Sequence, residues 1–153
     1  MVDRDDFDNN FRRALNKGLR IVARREVCRY MIIDHLRDEF GGEIAESAAD
    51  EIVRLGLVDD SRYARLYAHQ LFDKGFYIRR VVYELRGKGV DSSLARETAA
   101  NLAPDQEEAI TQLINGRLRV DLSDSKSIRR VMSTLDRYGY DGEVVRKLIS
   151  NSK

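Results

Sequence analysis

Side chains able to do covalent or acid–base chemistry are few in this sequence and scattered. Cys28 lies beside Val27 and near Met31 in a helical stretch. A thiol there is a nucleophile only if a base or cation lowers its pKa, and an apolar setting does the reverse. His35 and His69 fall in different parts of the chain with no nearby Cys or His to complete a metal-ligand set. Asp59-Asp60 has the look of a paired carboxylate for proton transfer, but two adjacent acids just ahead of a helix read as N-caps. Gly87-Lys88-Gly89 lacks the preceding strand, the spacing and the Ser/Thr of a phosphate loop, so it reads as a turn. The sequence therefore predicts no catalytic residue, no metal site and no cofactor.

The cations form a more regular pattern. Arg13, Lys17, Arg20 and Arg24 follow i, i+4, i+7, i+11, a single basic stripe on one helix. Arg79, Tyr83 and Arg86 share another helix face, with Arg80 beside them and Lys88 in the following turn. Arg129, Arg130 and Arg137 repeat the theme further on. Cations interleaved with a tyrosine suit phosphate contact plus stacking on a base. The competing reading is a solvated helix face with ion pairs along it. Recurrence of the Arg-Arg pair keeps the two readings level.

The elements that must carry these residues are helices. The chain has 153 residues, 42% hydrophobic and 35% charged, with one Cys and no Trp. Those figures suit a helix-rich soluble protein and exclude a disulfide scaffold and a multi-cysteine zinc site. No apolar run reaches the ~20 residues of a membrane span, and the acidic start predicts no signal peptide and a cytoplasmic protein. The 27 Lys+Arg nearly cancel the 26 Asp+Glu, so the broad basic field of a nonspecific DNA binder is absent. Net charge is −4 over residues 1–60, +4 over 61–104 and +1 over 105–153, which concentrates positive charge in the middle.

Phe11, Ala14, Leu15, Leu19, Val22 and Ala23 make one apolar stripe; Ile44, Ala48, Ile52 and Leu55 make another, closed by Gly56. Tyr63, Leu66, Tyr67 and Leu71 mark a helix that ends near Gly75. Pro104 and Asp105 open a helix carried by Ala109, Ile110, Leu113 and Ile114. Ile78-Arg79-Arg80-Val81 recurs as Ile128-Arg129-Arg130-Val131 at an offset of 50, which also matches Leu85 to Leu135, Gly89 to Gly139 and Asp91 to Asp141. A degenerate earlier copy fits Ile32, Leu36 and Ile44 to Leu55 with a longer turn through Gly41-Gly42. Adding one preceding helix to each pair predicts an all-α chain of three tandem three-helix repeats, 1–58, 59–104 and 105–153. The order of the acidic residues 1–10 stays open. The expected core is Leu15, Leu19, Ile52, Leu66, Leu71, Val81, Leu85, Leu113, Val131, Leu135 and Leu148.

At this point the chain resembles the RecX proteins, regulators of the RecA recombinase. The resemblance is carried by Arg24-Arg25-Glu26-Val27-Cys28-Arg29, by Leu55-Gly56-Leu57-Val58-Asp59-Asp60-Ser61-Arg62-Tyr63-Ala64, by Ile78 through Asp91, and by Tyr138-Gly139-Tyr140-Asp141 with Val144-Val145. Phe76-Tyr77 departs from the family, many members of which carry a Gly/Pro-containing stretch there. The resemblance implies an elongated, curved molecule of three helical repeats. It further implies binding in the groove of the RecA filament on single-stranded DNA, damping ATP hydrolysis, strand exchange and co-protease activity. Direct contact with DNA is left open, and a monomer without a membrane partner is expected. The binding candidates are Arg20, Arg24, Arg25, Arg29, Arg79, Arg80, Tyr83, Arg86, Lys88, Arg129, Arg130 and Arg137. Two other classes compete: a helix-turn-helix transcriptional regulator, which lacks a visible dimer helix here, and a scaffold that binds protein alone.

Overall fold

A computed structural model of the chain describes residues 3–152. Among them every regular element is a helix: α1 Arg4–Arg24, α2 Arg29–Phe40, α3 Gly42–Arg54, α4 Asp60–Asp73, α5 Ile78–Gly87, α6 Ser92–Leu102, α7 Gln106–Asn115, α8 Ser125–Arg137 and α9 Gly142–Asn151. The protein is all-α, its helices following one another as three tandem triplets. Residues 4–10, whose order the composition leaves open, are the first turns of α1; Met1 and Val2 of that segment lie outside the described residues. Two causes extend the helix. Asp5 and Asp6 complement the positive end of its dipole, and Phe7 continues the apolar stripe of Phe11 onto the core.

The chain divides into two compact units, Met1–Ala64 with Gly87–Asp91, and Arg65–Arg86 with Ser92–Lys153. In the first, α1, α2 and α3 close around Ile32, Ile33, Leu36, Ile44, Ala48 and Ile52, with Phe7, Phe11, Leu15 and Leu19 packed on them. Asp59 caps α4, its Oδ1 accepting from the N–H groups of Ser61 at 2.9 Å and Arg62 at 3.2 Å. Asp60 caps a different helix: its Oδ1 accepts from the N–H of Arg29 at 2.8 Å, at the start of α2. Both acids therefore satisfy helix-end donors that would otherwise be orphaned.

In the second unit the core is Ile110, Leu113, Ile114, Val131, Leu135, Tyr140, Val145 and Ile149. Asp105, Asp124 and Asp141 cap α7, α8 and α9 through their side chains. The turn after α8 seats on the start of α5. Gly139, at φ +97°, leaves no room for a side chain: a Cβ there would lie 2.5 Å from the backbone nitrogen of Arg80. Around it Tyr77 N–H donates to Tyr138 O at 2.7 Å, and Tyr140 hydroxyl donates to Gly75 O at 2.8 Å. Tyr138 meets Phe76 edge-on and Tyr140 stacks on Tyr77, both at 4.9 Å between ring centres. The first unit repeats the arrangement, with Gly89, at φ +96°, pressed against the side chain of Tyr30 at the start of α2.

Of the expected core, Ile52, Leu71, Val81, Leu85, Leu113, Val131 and Leu135 are buried, and Leu15, Leu19 and Leu148 are half-buried. Leu66 corrects the reading, since it is 44% exposed. The buried residues of α4 are Tyr63, Ala64, Ala68 and Leu71. Two alanines take inward positions, and Leu66 lies about 160° around the helix from Ala68.

Leu85→Ala should lower stability by ~2–5 kcal/mol, whereas Leu66→Ala should change it by less than about 1 kcal/mol. Equal losses in thermal or urea melts would contradict the assigned core. Burial pushes the Tyr140 hydroxyl up from 10.0 to about 12. Because the folded pKa lies above the unfolded one, its stabilising effect is complete below pH 10 and is lost as pH rises from 10 to 12. Urea titrations across that window should show a smaller loss for Tyr140→Phe than for wild type; identical pH profiles would contradict this.

Candidate functional site

The groups that might have done covalent chemistry are engaged elsewhere. Cys28 is fully buried and its Sγ donates to Lys88 O at 3.2 Å. Burial foremost, with the negative charge of Asp60 adding to it, pushes the thiol pKa up, away from the reactive thiolate. Nε2 of His35 lies 2.8 Å from Arg25 Nη2. A guanidinium only donates, so the imidazole nitrogen is the acceptor of any hydrogen bond between them. The Asp59-Asp60 pair serves as two helix caps. Among the described residues no group of three or more His, Cys, Asp or Glu gathers with the geometry to hold a metal ion.

Several of the cations singled out by sequence are bonded to other groups of the protein itself. Arg29 binds Asp50 of α3 through Nε and Nη2 at 2.9 and 2.8 Å. Arg79 Nη2 donates to the main-chain oxygen of Asp136 and, at 3.0 Å, to its carboxylate. Arg80 donates from Nη1 to Arg137 O at 3.1 Å and from Nε to Glu84 at 2.8 Å, and its guanidinium lies 4.7 Å from the centre of the Phe76 ring. Asp136 and Arg137 end α8. The Arg79-Arg80 pair thus satisfies carbonyls at a helix C-terminus, where orphan acceptors and the negative dipole end favour cations. These bonds give the pair a structural use beside any outward one, since the Arg79 side chain stays 61% exposed. Arg137 Nη2 reaches Thr134 at 3.3 Å. On α1, Arg13 and Lys17 share Glu39 of α2 at 3.4 and 2.8 Å, so one carboxylate offsets part of the stripe's charge, and Arg20 acts on the same carboxylate from farther off.

A second set faces solvent. Arg20 and Arg24, one turn apart on α1, are exposed. Tyr83 on α5 is 71% exposed and Arg86 follows on the same face. Arg129 and Arg130 are exposed at the start of α8. None of these six side chains hydrogen-bonds or ion-pairs with another described residue. Lys88 is exposed in the turn after α5 and carries its own electrostatic contact. The candidates therefore split into a group bonded within the protein and a solvent-facing group.

Sequence reasoning missed Arg119 and the aromatic set Phe76, Tyr77, Tyr138 and Tyr140. Arg119 holds φ +44°, a left-handed conformation rare outside glycine, and lines a cavity beside Arg130. Nothing in the local sequence signals that geometry. The aromatic set was within reach, because Tyr138-Gly139-Tyr140 and Phe76-Tyr77 are both conspicuous; what was lacking was the contact between them.

The similarities to known proteins follow the same lines. Residues 59–98 match the family description "RecX, second three-helix domain". The regulatory protein RecX of Thermobifida fusca (strain YX) is 31% identical over 144 residues, covering 91% of this chain and 78% of that protein. The regulatory protein RecX of Trichlorobacter lovleyi is 30% identical over 140 residues, 86% and 90% of the two chains. In fold, the crystal structure of RecX from Lactobacillus salivarius superposes with a TM-score of 0.75 at 16% identity, covering 94% and 97%. With three-helix repeats in the right order and likeness running through nine-tenths of its length, this chain belongs to the RecX family.

Proposed function

We propose that this protein binds the RecA filament on single-stranded DNA and restrains its ATPase, strand exchange and co-protease activities. Its setting is the cytoplasm, in DNA repair, recombination and the SOS response. The observation that carries this reading is the 91% of the chain aligned with a regulatory protein RecX. It acts as a monomer without catalysis or cofactor, and its repeats are residues 1–58, 59–104 and 105–153. DNA contact is direct and falls to the solvent-facing set: Arg20, Arg24 and Arg86 meet phosphates, Tyr83 stacks, and Lys88 adds charge. Arg25, Arg29, Arg79, Arg80 and Arg137 contribute by holding the helices that present them.

The test is RecA's DNA-dependent ATPase at substoichiometric amounts of this protein. The rate should fall. An unchanged rate, together with sequence-specific binding to duplex DNA, would favour a transcriptional regulator and overturn the reading. Each phosphate contact to a single strand adds about 0.7 to the log–log salt dependence, so Arg20→Ala with Arg24→Ala should reduce that slope by ~1.4 and weaken inhibition. The melting temperature should stay unchanged, because both side chains face solvent. A wild-type slope in this variant would remove α1 from the interface.

A further inference from the structure

The contact between the α8 turn and the start of α5 has an open counterpart. At the start of α8 a cavity of about 410 Å³ is lined by Leu118, Val120, Val131, Arg119, Arg130 and Thr134, with Asp121 and Ser127 at its edge. Through the 50-residue offset, Ser127, Arg130, Val131 and Thr134 correspond to Tyr77, Arg80, Val81 and Glu84. On α5 that face is filled: Gly139 lies on Tyr77 and Arg80, Arg79 and Arg80 hold the last carbonyls of α8, Tyr138 meets Phe76 edge-on and Tyr140 stacks on Tyr77. On α8 the same face carries the same arginine pair, and neither Arg129 nor Arg130 is bonded to another described residue.

We propose that this cavity docks the C-terminal turn of a helix from a partner protein, a turn with a carboxylate in its last residues followed by an aromatic–glycine step. The occupant's chemistry is read from the chain's own precedent on α5, where Asp136, Tyr138 and Gly139 supply those features. Charge agrees. Arg119 and Arg130 line the cavity and Arg129 neighbours it on α8, and a helix end brings carbonyls and a carboxylate that are negative. Asp121 also lines the cavity, and the N–H and hydroxyl of Ser123, at 2.9 and 2.6 Å from its Oδ1, hold it as a carboxylate; Arg119 and Arg130 outnumber it. Leu118, Val120 and Val131 give the site an apolar floor suited to a ring, which a bare phosphate would leave unused. The inference goes beyond the filament reading and does not rest on it.

The experiment titrates the full chain, isotope-labelled for NMR, with a helix-constrained peptide of residues 131–142, the end of α8 and its turn. Amide shifts should concentrate at residues 118–121 and 127–134. Arg129→Ala with Arg130→Ala should weaken binding about tenfold or more at an unchanged melting temperature, and an Asp136→Asn peptide should bind more weakly than the parent. The shift map on the unaltered chain stands even if the double variant folds poorly. Shifts gathered instead at residues 76–80 would mean that the peptide displaces the chain's own α8 end, and would overturn the proposal. So would no shifts at millimolar peptide. A dT oligonucleotide that perturbs residues 127–134 where the peptide does not would assign the face to nucleic acid and overturn it as well.

Discussion

A left-handed glycine pressed onto the first turn of another helix is the contact on which the rest of this protein depends. Helices of 10 to 14 residues, the length of α2 to α9, are marginal in water on their own and gain stability only by burying a face. At Gly139 and Gly89 the chain brings a turn so close to its neighbour that any Cβ would overlap Arg80 or Tyr30. Only glycine takes that backbone conformation without strain and also leaves the space. The aromatic stacks and the Tyr140–Gly75 hydrogen bond then form around a gap that is already closed.

That closure decides what the arginines do. A helix ends in carbonyls that no turn of its own satisfies, and donors on a neighbouring element can take them. Arg79 and Arg80 are the donors, so the most conspicuous basic pair in the sequence is structural first. Cations free of such duty lie on α1, on the outer face of α5 and at the start of α8. A mixed surface of this kind, at a net charge of +1, suits the proposed contact with nucleic acid in the company of another protein.

Most of the architecture was legible because each helix announces itself locally. Asp105, Asp124 and Asp141 cap, Gly56, Gly75 and Gly139 close turns, and Ile/Leu/Val stripes keep a 3.6-residue period. Leu66 was misplaced because Ala64 and Ala68 carry too little hydrophobic weight to reveal which face of α4 points inward. The fate of Arg79 was illegible for another reason. Its partner lies 57 residues away, and a guanidinium bound to a distant carbonyl has the same local sequence as one bound to a phosphate. The recurrence of Arg-Arg was visible, but not which copy is bonded within the chain. One copy has its helix end in place within the chain; the other does not.

The most direct measurement is amide hydrogen exchange at Tyr77, whose N–H donates to Tyr138 O across the glycine contact. Wild-type protein should protect this amide to the same degree as the core amides of α8. In Gly139→Ala the added methyl meets the Arg80 backbone and the residue is held at φ +97°, so protection at Tyr77 should fall sharply while amides within α1 to α3 keep theirs. Unchanged protection at Tyr77 in that variant would mean that the glycine contact does not hold the turn to α5, and the account built on it would fail.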